Sequence, residues 1–128
     1  MATFLRPYEP QLYAVLRMVT GFLFLWYGMQ KLFGFPGAPP AGAPAFVIWI
    51  AGPIELVGGV LVMIGLFTSG AAFLASGLMA FAYWLAHGTK ALLPVQNQGD
   101  LAVLYCFVFL YIATRGPGIW SMDGSRAT

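Results

Sequence analysis

Four long apolar stretches constrain the fold of this chain more than any other feature of its sequence. They run from about residue 12 to 32, 45 to 67, 71 to 88 and 99 to 115. Charged residues make up 8% of the 128 positions, whereas a soluble domain carries about 25%. The apolar side chains must therefore face an apolar medium, and the sequence predicts an integral membrane protein.

Turn-forming residues separate these stretches, and we interpret each stretch as a helix. Four prolines lie between residues 36 and 44, a Thr-Ser-Gly break occupies residues 68–70, and residues 89–99 form a polar loop. A helix rises about 1.5 Å per residue, so the first three stretches can cross a hydrocarbon core of about 30 Å, whereas the fourth is short. We predict an all-α fold, a four-helix transmembrane bundle that forms one domain over residues 1–128.

The distribution of basic residues predicts the orientation. With four spans, both termini share one side, which holds more basic residues than the other: Arg6, Arg17, Arg115 and Arg126 against Lys31 and Lys90. The excess predicts that both termini are cytoplasmic. Arg17 either anchors the first helix at that interface or pairs with Asp123. A cleaved signal peptide is the rival interpretation of the first stretch, but its apolar run is too long for one.

Glu55 is the strongest candidate for a functional residue, because a charge near the centre of a membrane helix costs about 2.5–3.5 kcal/mol. Lys31 closes the first helix on the same side of the bilayer and can either reach Glu55 or extend to the headgroups. His87 ends the third helix, Asp100 opens the fourth, and Asn97 lies between them. We therefore expect these five residues to converge on a polar, ligand-binding site.

Aromatic and small residues are arranged around this site. Trp26, Tyr27, Trp49, Tyr83 and Trp84 fall toward the outer ends of their helices, on the side of the bilayer opposite the termini, and they are candidates to line a cleft.

Glycines flank Glu55 on one face of its helix, at positions 52 and 59. Such small residues let two helices approach closely in a membrane.

Several functions are excluded by what the sequence lacks. Cys106 is the one cysteine and His87 the one histidine, so the chain alone holds neither a haem with two axial histidines nor an iron–sulfur cluster, and we expect no metal. The net charge of +2 comes without a basic run, which argues against nucleic-acid binding. No nucleotide-binding or nucleophile motif is present, so the catalytic residues, if any exist, stay unknown.

Two interpretations of the polar residues remain open. They either line a pocket for a polar headgroup or a proton path, or they form a clasp that only fixes the helix arrangement. The first makes the protein a ligand-binding or accessory subunit, and the second makes it a scaffold for other membrane proteins. A small-solute carrier is a third, weaker alternative, because four short helices leave little room for alternating access.

Five segments resemble the DoxX family. Residues 27–32 are similar to its Gly-x-x-Lys-Leu signature, and residues 54–59 and 65–68 to its acidic Gly-Gly helix and the turn that follows. Residues 94–100 stand where the family has Asn-x-Gly-Glu, with Asp100 in place of Glu. Residues 116–123 resemble its closing Gly-x-Gly and Ser-Leu-Asp pattern, with Met122 in place of Leu.

The resemblance implies a multi-pass protein of the bacterial inner membrane with four helices. Some members of the family are linked to quinol oxidation, to thiosulfate:quinone oxidoreduction or to complexes that respond to oxidative stress. The resemblance therefore implies a link to respiratory or thiol redox chemistry, with a quinone as the one expected ligand. The expected partners are membrane lipid together with other redox subunits or further copies of this chain.

Overall fold

The computed structural model describes residues 3–39, 42, 44–88 and 90–126, and within these residues it contains helices and no strand. A 3₁₀ segment (Thr3–Tyr8) precedes α1 (Glu9–Phe33), and a π-helical segment (Val47–Ala51) leads into α2 (Gly52–Ile64). The remaining helices are α3 (Thr68–Ala86), α4 (Pro94–Asn97), α5 (Asp100–Arg115) and α6 (Met122–Arg126). The prediction of an all-α fold is confirmed. The proline-rich connection lies partly outside the described residues.

The ends of the first two long helices follow from local chemistry. Gly34 adopts a left-handed conformation with φ of 67°, and its N–H donates to the carbonyl of Gln30. Gly65 closes α2 in the same way, with φ of 73°. Glycine adopts this conformation without the steric cost that a side chain would bring.

The start of α3 differs from the prediction. Residues 68–70 were expected to form a break between helices, but they are the first turn of α3. The carboxylate of Asp123 accepts hydrogen bonds from the Thr68 N–H at 3.0 Å and from its hydroxyl at 3.2 Å. A residue 55 positions away therefore caps this helix, which no local pattern reveals.

Among the described residues, three helical segments are long and apolar enough to cross a membrane: Thr3–Phe33, Val47–Ile64 and Thr68–Ala86. The fourth predicted span, α5, has 16 residues, fewer than the roughly 20 that a span ordinarily needs. Large apolar side chains such as Leu23, Phe73 and Phe107 are exposed on the outer faces of the long helices. Such faces suit contact with lipid.

The bundle consists of two closely packed helix pairs. α1 packs along α2, and α3 packs along α5. Phe24 on α1 joins the pairs, because its ring lies 4.6 Å from that of Phe109 and 5.3 Å from that of Tyr105, both on α5. These aromatic rings belong to one apolar core with Tyr13, Val62, Ala72, Ala75, Met79 and Ile112.

Glycines bring the backbones of α1 and α2 together. A Cβ atom on Gly59 would lie 2.8 Å from the carbonyl oxygen of Gly21 and 2.8 Å from the nitrogen of Leu25. Gly28 is equally restricted, because its Cβ would lie 2.6 Å from the carbonyl oxygen of Gly52. Backbone atoms cannot move aside as a flexible side chain can, so any larger residue separates the two helices.

We therefore expect Gly59→Ala to destabilise the protein by about 1–3 kcal/mol, the usual cost of overpacking. Its neighbour Gly58 provides a matched control, because a Cβ there meets nothing within 4 Å. Gly58→Ala should be neutral or stabilising, by up to about 1 kcal/mol, since alanine favours a helix. Unfolding of both variants in detergent checks the difference, and equal stabilities would contradict the close α1–α2 contact.

Candidate functional site

Lys31 and Glu55 form a buried ion pair between α1 and α2. The Lys31 Nζ donates to Glu55 Oε1 at 2.6 Å, and the two side chains are 12% and 5% exposed. Of the two positions open to Lys31, the structure therefore shows the one directed at Glu55. Lys31 also lies in the last turn of α1, where the helix dipole favours a positive charge. Its Nζ is 5.9 Å from the ring centre of Tyr27.

A groove of about 440 Å³ opens between α1 and α5; neither Lys31 nor Glu55 lines it, but its wall includes Tyr27, whose ring lies near the Lys31 Nζ. Leu23, Trp26, Tyr27, Gln30, Pro36, Leu101 and Tyr105 line it. The rings of Tyr27 and Tyr105 meet edge to face, with centres 6.2 Å apart. The volume of the groove falls within the range of about 300–1,000 Å³ that is typical of small-molecule sites. The groove is apolar apart from a few groups that can form hydrogen bonds.

Tyr105 is the unusual member of this groove. The residue is only 8% exposed, yet its hydroxyl makes no hydrogen bond with any part of the chain that the structure describes. It lies within electrostatic range of Glu55 and Tyr27. The hydroxyl is not fully enclosed by the described residues, so it is available to a ligand that enters the groove.

His87 and Asn97 form a second cluster with Tyr83, at the connection between α3 and α5. The His87 Nδ1 donates to the carbonyl of Asn97 at 3.0 Å. The Asn97 amide donates to the Tyr83 hydroxyl at 2.9 Å and accepts from the Gly99 N–H at 2.9 Å. Within the described ranges, no hydrogen bond or ion pair joins this cluster to Lys31 and Glu55. Its contacts hold the connection in place.

Three further candidate residues, in addition to those of the second cluster, are not brought to the ion pair. Asp100 is exposed and accepts a hydrogen bond at 3.1 Å from the N–H of Leu101 in its own helix. The rings of Trp49 and Trp84 point outward and are each 66% exposed. Their positions suit a membrane interface better than the lining of a cleft. Trp26 and Tyr27 are the predicted aromatic residues that line the groove.

The most deeply buried charge, Arg17, was not among the candidate site residues. Its side chain is fully buried and does not lie at an exposed interface. The Nε donates to the carbonyl of Val62 at 3.0 Å, and Nη1 donates to those of Pro117 and, at 3.1 Å, Ile119. The Nη2 donates to the carbonyl of Trp120 at 2.8 Å. Arg17 therefore holds the C-terminal segment (residues 116–124) against α1 and α2.

Two further contacts fix the C-terminal segment. The Tyr13 hydroxyl donates to the carbonyl of Gly116 at 2.6 Å, and the Asp123 N–H donates to that of Gly65 at 2.8 Å. The position of an arginine inside an apolar stretch was the one sequence signal for this arrangement. It could not reveal partners that are backbone carbonyls 45 to 103 residues away.

No group of three or more His, Cys, Asp or Glu side chains within the described residues could hold a metal ion. The chemistry available at the site is therefore that of an ion pair, tyrosine hydroxyls and an aromatic wall.

These features define a class of protein: a small all-helical membrane protein with a buried ion pair beside an aromatic groove. The chain belongs to the DoxX family, whose model matches residues 12–88.

Two relatives extend the match along the chain. An "Uncharacterized protein" of Haemophilus influenzae is 38% identical over 125 residues, which cover 93% of each chain. The "Putative oxidoreductase CatD" of Bacillus subtilis is 40% identical over 115 residues, 85% of this chain and 82% of that protein. No solved structure matches this chain.

Proposed function

We propose that this protein binds a quinone, or an amphiphile of similar shape, in the α1–α5 groove and serves as the ligand-binding subunit of a membrane redox complex. The observation that carries the proposal is Tyr105, a largely buried residue on the wall of the groove whose hydroxyl has no hydrogen-bond partner among the described residues. The name of the Bacillus subtilis relative, "Putative oxidoreductase CatD", supports the redox assignment.

The groove fits the chemistry of a quinone headgroup. A quinone offers two carbonyl oxygens as acceptors, and Tyr105 and Gln30 supply donors on the wall of the groove. Trp26 and Tyr27 offer faces and edges for a planar ring, and Leu23 and Leu101 are apolar surfaces for the attached chain. Bound quinone would supply the two-electron chemistry. Because no group of three or more His, Cys, Asp or Glu side chains among the described residues could hold a metal ion, we expect the electrons to come from a partner subunit.

The same proposal includes four spans in the bacterial inner membrane, with both termini in the cytoplasm. α5 would be the fourth span, and its exposed apolar residues Leu101, Leu104 and Phe107 support contact with lipid. Its 16 residues measure about 24 Å, so they cross a roughly 30 Å core only where flanking residues or local thinning make up the difference.

A scaffold without its own ligand is the second candidate function. The direct Lys31–Glu55 contact favours it, because each charge already has its partner and needs no ligand. In that case the ion pair would serve only the arrangement of α1 and α2.

Tyr105→Phe separates these two functions, because it removes the hydroxyl and keeps the ring. We expect gently solubilised protein to retain a quinone, and the variant to retain about fivefold less, the effect of one lost hydrogen bond. The melting temperature in detergent should not fall. Mass spectrometry of the co-purifying small molecules makes the measurement.

Tyr111→Phe provides the control, because that ring is exposed and lies outside the groove. It should retain quinone as the unmodified protein does. Bulk lipid alone in all three samples, or equal quinone in Tyr105→Phe and the unmodified protein, would reject the proposal and favour the scaffold.

A further inference from the structure

A second groove lies at the opposite end of α1, where the 3₁₀ segment meets α1 and α5. This open groove has a volume of about 680 Å³, and Thr3, Leu5, Arg6, Glu9, Leu12, Tyr13, Leu16 and Tyr111 line it. Leu12 and Leu16 are four residues apart, so they form a continuous apolar strip on one face of α1. The quinone proposal does not involve any of these residues.

The charges at the mouth of this groove do not balance. Arg115 pairs with Glu9, with Nη2 2.7 Å from Oε1, and its guanidinium lies 4.0 Å from the centre of the Tyr13 ring. Arg6 is exposed and has no carboxylate partner among the residues that the structure describes. One positive charge therefore remains uncompensated beside an apolar strip.

We infer that this groove binds an anionic phospholipid, with Arg6 at the phosphate and one acyl chain along Leu12 and Leu16. An arginine forms strong, charge-assisted hydrogen bonds with phosphate oxygens, whereas it gains little from a neutral headgroup. A soluble phosphate would meet the arginine but leave the apolar strip uncovered. The combination of both surfaces in one groove selects a lipid over a free anion. This site is independent of the α1–α5 groove.

Native mass spectrometry of detergent-solubilised protein tests the inference, with phosphatidylglycerol and phosphatidylcholine of identical chains as probes. We expect the unmodified protein to retain about fivefold more phosphatidylglycerol than phosphatidylcholine, the contribution of one arginine near a lipid surface. Arg6→Gln should abolish this preference without changing the melting temperature. Leu16→Trp, which fills part of the groove, should reduce retention of both lipids.

Lys90→Gln is the matched control, because it removes one positive charge from an exposed position in the connection between α3 and α5. It should keep the preference for phosphatidylglycerol. Equal retention of the two lipids by the unmodified protein, or an undiminished preference in Arg6→Gln, would overturn the inference. Glycerol phosphate that competes as well as the lipid would also overturn it, because the acyl chain would then contribute nothing.

Discussion

Replacing Arg17 with methionine should destabilise the protein by about 3 kcal/mol or more and release the C-terminal segment. The guanidinium donates to four buried or partly buried carbonyls, of Val62, Pro117, Ile119 and Trp120. Hydrogen bonds to charged groups contribute about 1.5–3 kcal/mol each, and the carbonyls left without a donor add a desolvation cost. Unfolding in detergent measures the loss of stability, and limited proteolysis after residue 116 measures the release.

Two further variants make this result specific to the geometry of Arg17. Arg17→Lys keeps the charge but loses the planar guanidinium that reaches several carbonyls. Its stability should therefore lie between those of Arg17→Met and the unmodified protein. Arg6→Met removes an exposed arginine that has no ion pair with any described residue, and it should change the stability by less than about 0.5 kcal/mol. If Arg17→Met unfolded at the same temperature as the unmodified protein and its C-terminal segment resisted protease, the structural role that we assign to Arg17 would be rejected.

The second large effect concerns Lys31 and Glu55, because either single replacement leaves one charge buried without its partner. We expect Lys31→Met and Glu55→Gln each to cost about 3–5 kcal/mol. The double variant Lys31→Met, Glu55→Leu should recover most of that loss, because a well-packed apolar pair is often as stable as a buried ion pair. A double-mutant cycle of unfolding free energies gives the coupling between the two side chains.

The exposed pair of Glu9 and Arg115 serves as the control for this cycle. Its side chains are 52% and 27% exposed, so Glu9→Gln should cost less than about 1 kcal/mol. Single variants of Lys31 and Glu55 that lose no more than Glu9→Gln would argue against a buried pair.

The same double variant distinguishes the two candidate functions. If it folds as the unmodified protein does but loses the quinone, the ion pair acts on the ligand and not only on the fold. If it folds and keeps the quinone, the pair serves the helix arrangement, and Tyr105 and Gln30 carry the binding alone.

Part of the candidate site could be predicted because apolar surroundings make a charge conspicuous. Glu55 had to face the bundle interior, and Lys31 was the cation on the same side of the membrane that could reach it. The glycine at position 59 likewise indicated close helix contact, which the structure places against Gly21. The convergence of His87 and Asn97 with this pair could not be tested by pattern alone, and the structure puts them in a separate cluster.

The helical fold and the apolar surroundings follow from the amino-acid sequence, because stretches so poor in charge must satisfy their backbone groups internally. Which apolar and aromatic residues face the interior depends instead on how the helices pack. On α5, Phe109 is fully buried and Phe107 is 63% exposed, although both are phenylalanines two positions apart. Lipid and protein core are both apolar, so hydropathy does not distinguish the two faces of such a helix. The sequence pattern likewise does not show that Tyr105 is buried or that Arg17 donates to backbone carbonyls, because both depend on how the helices pack.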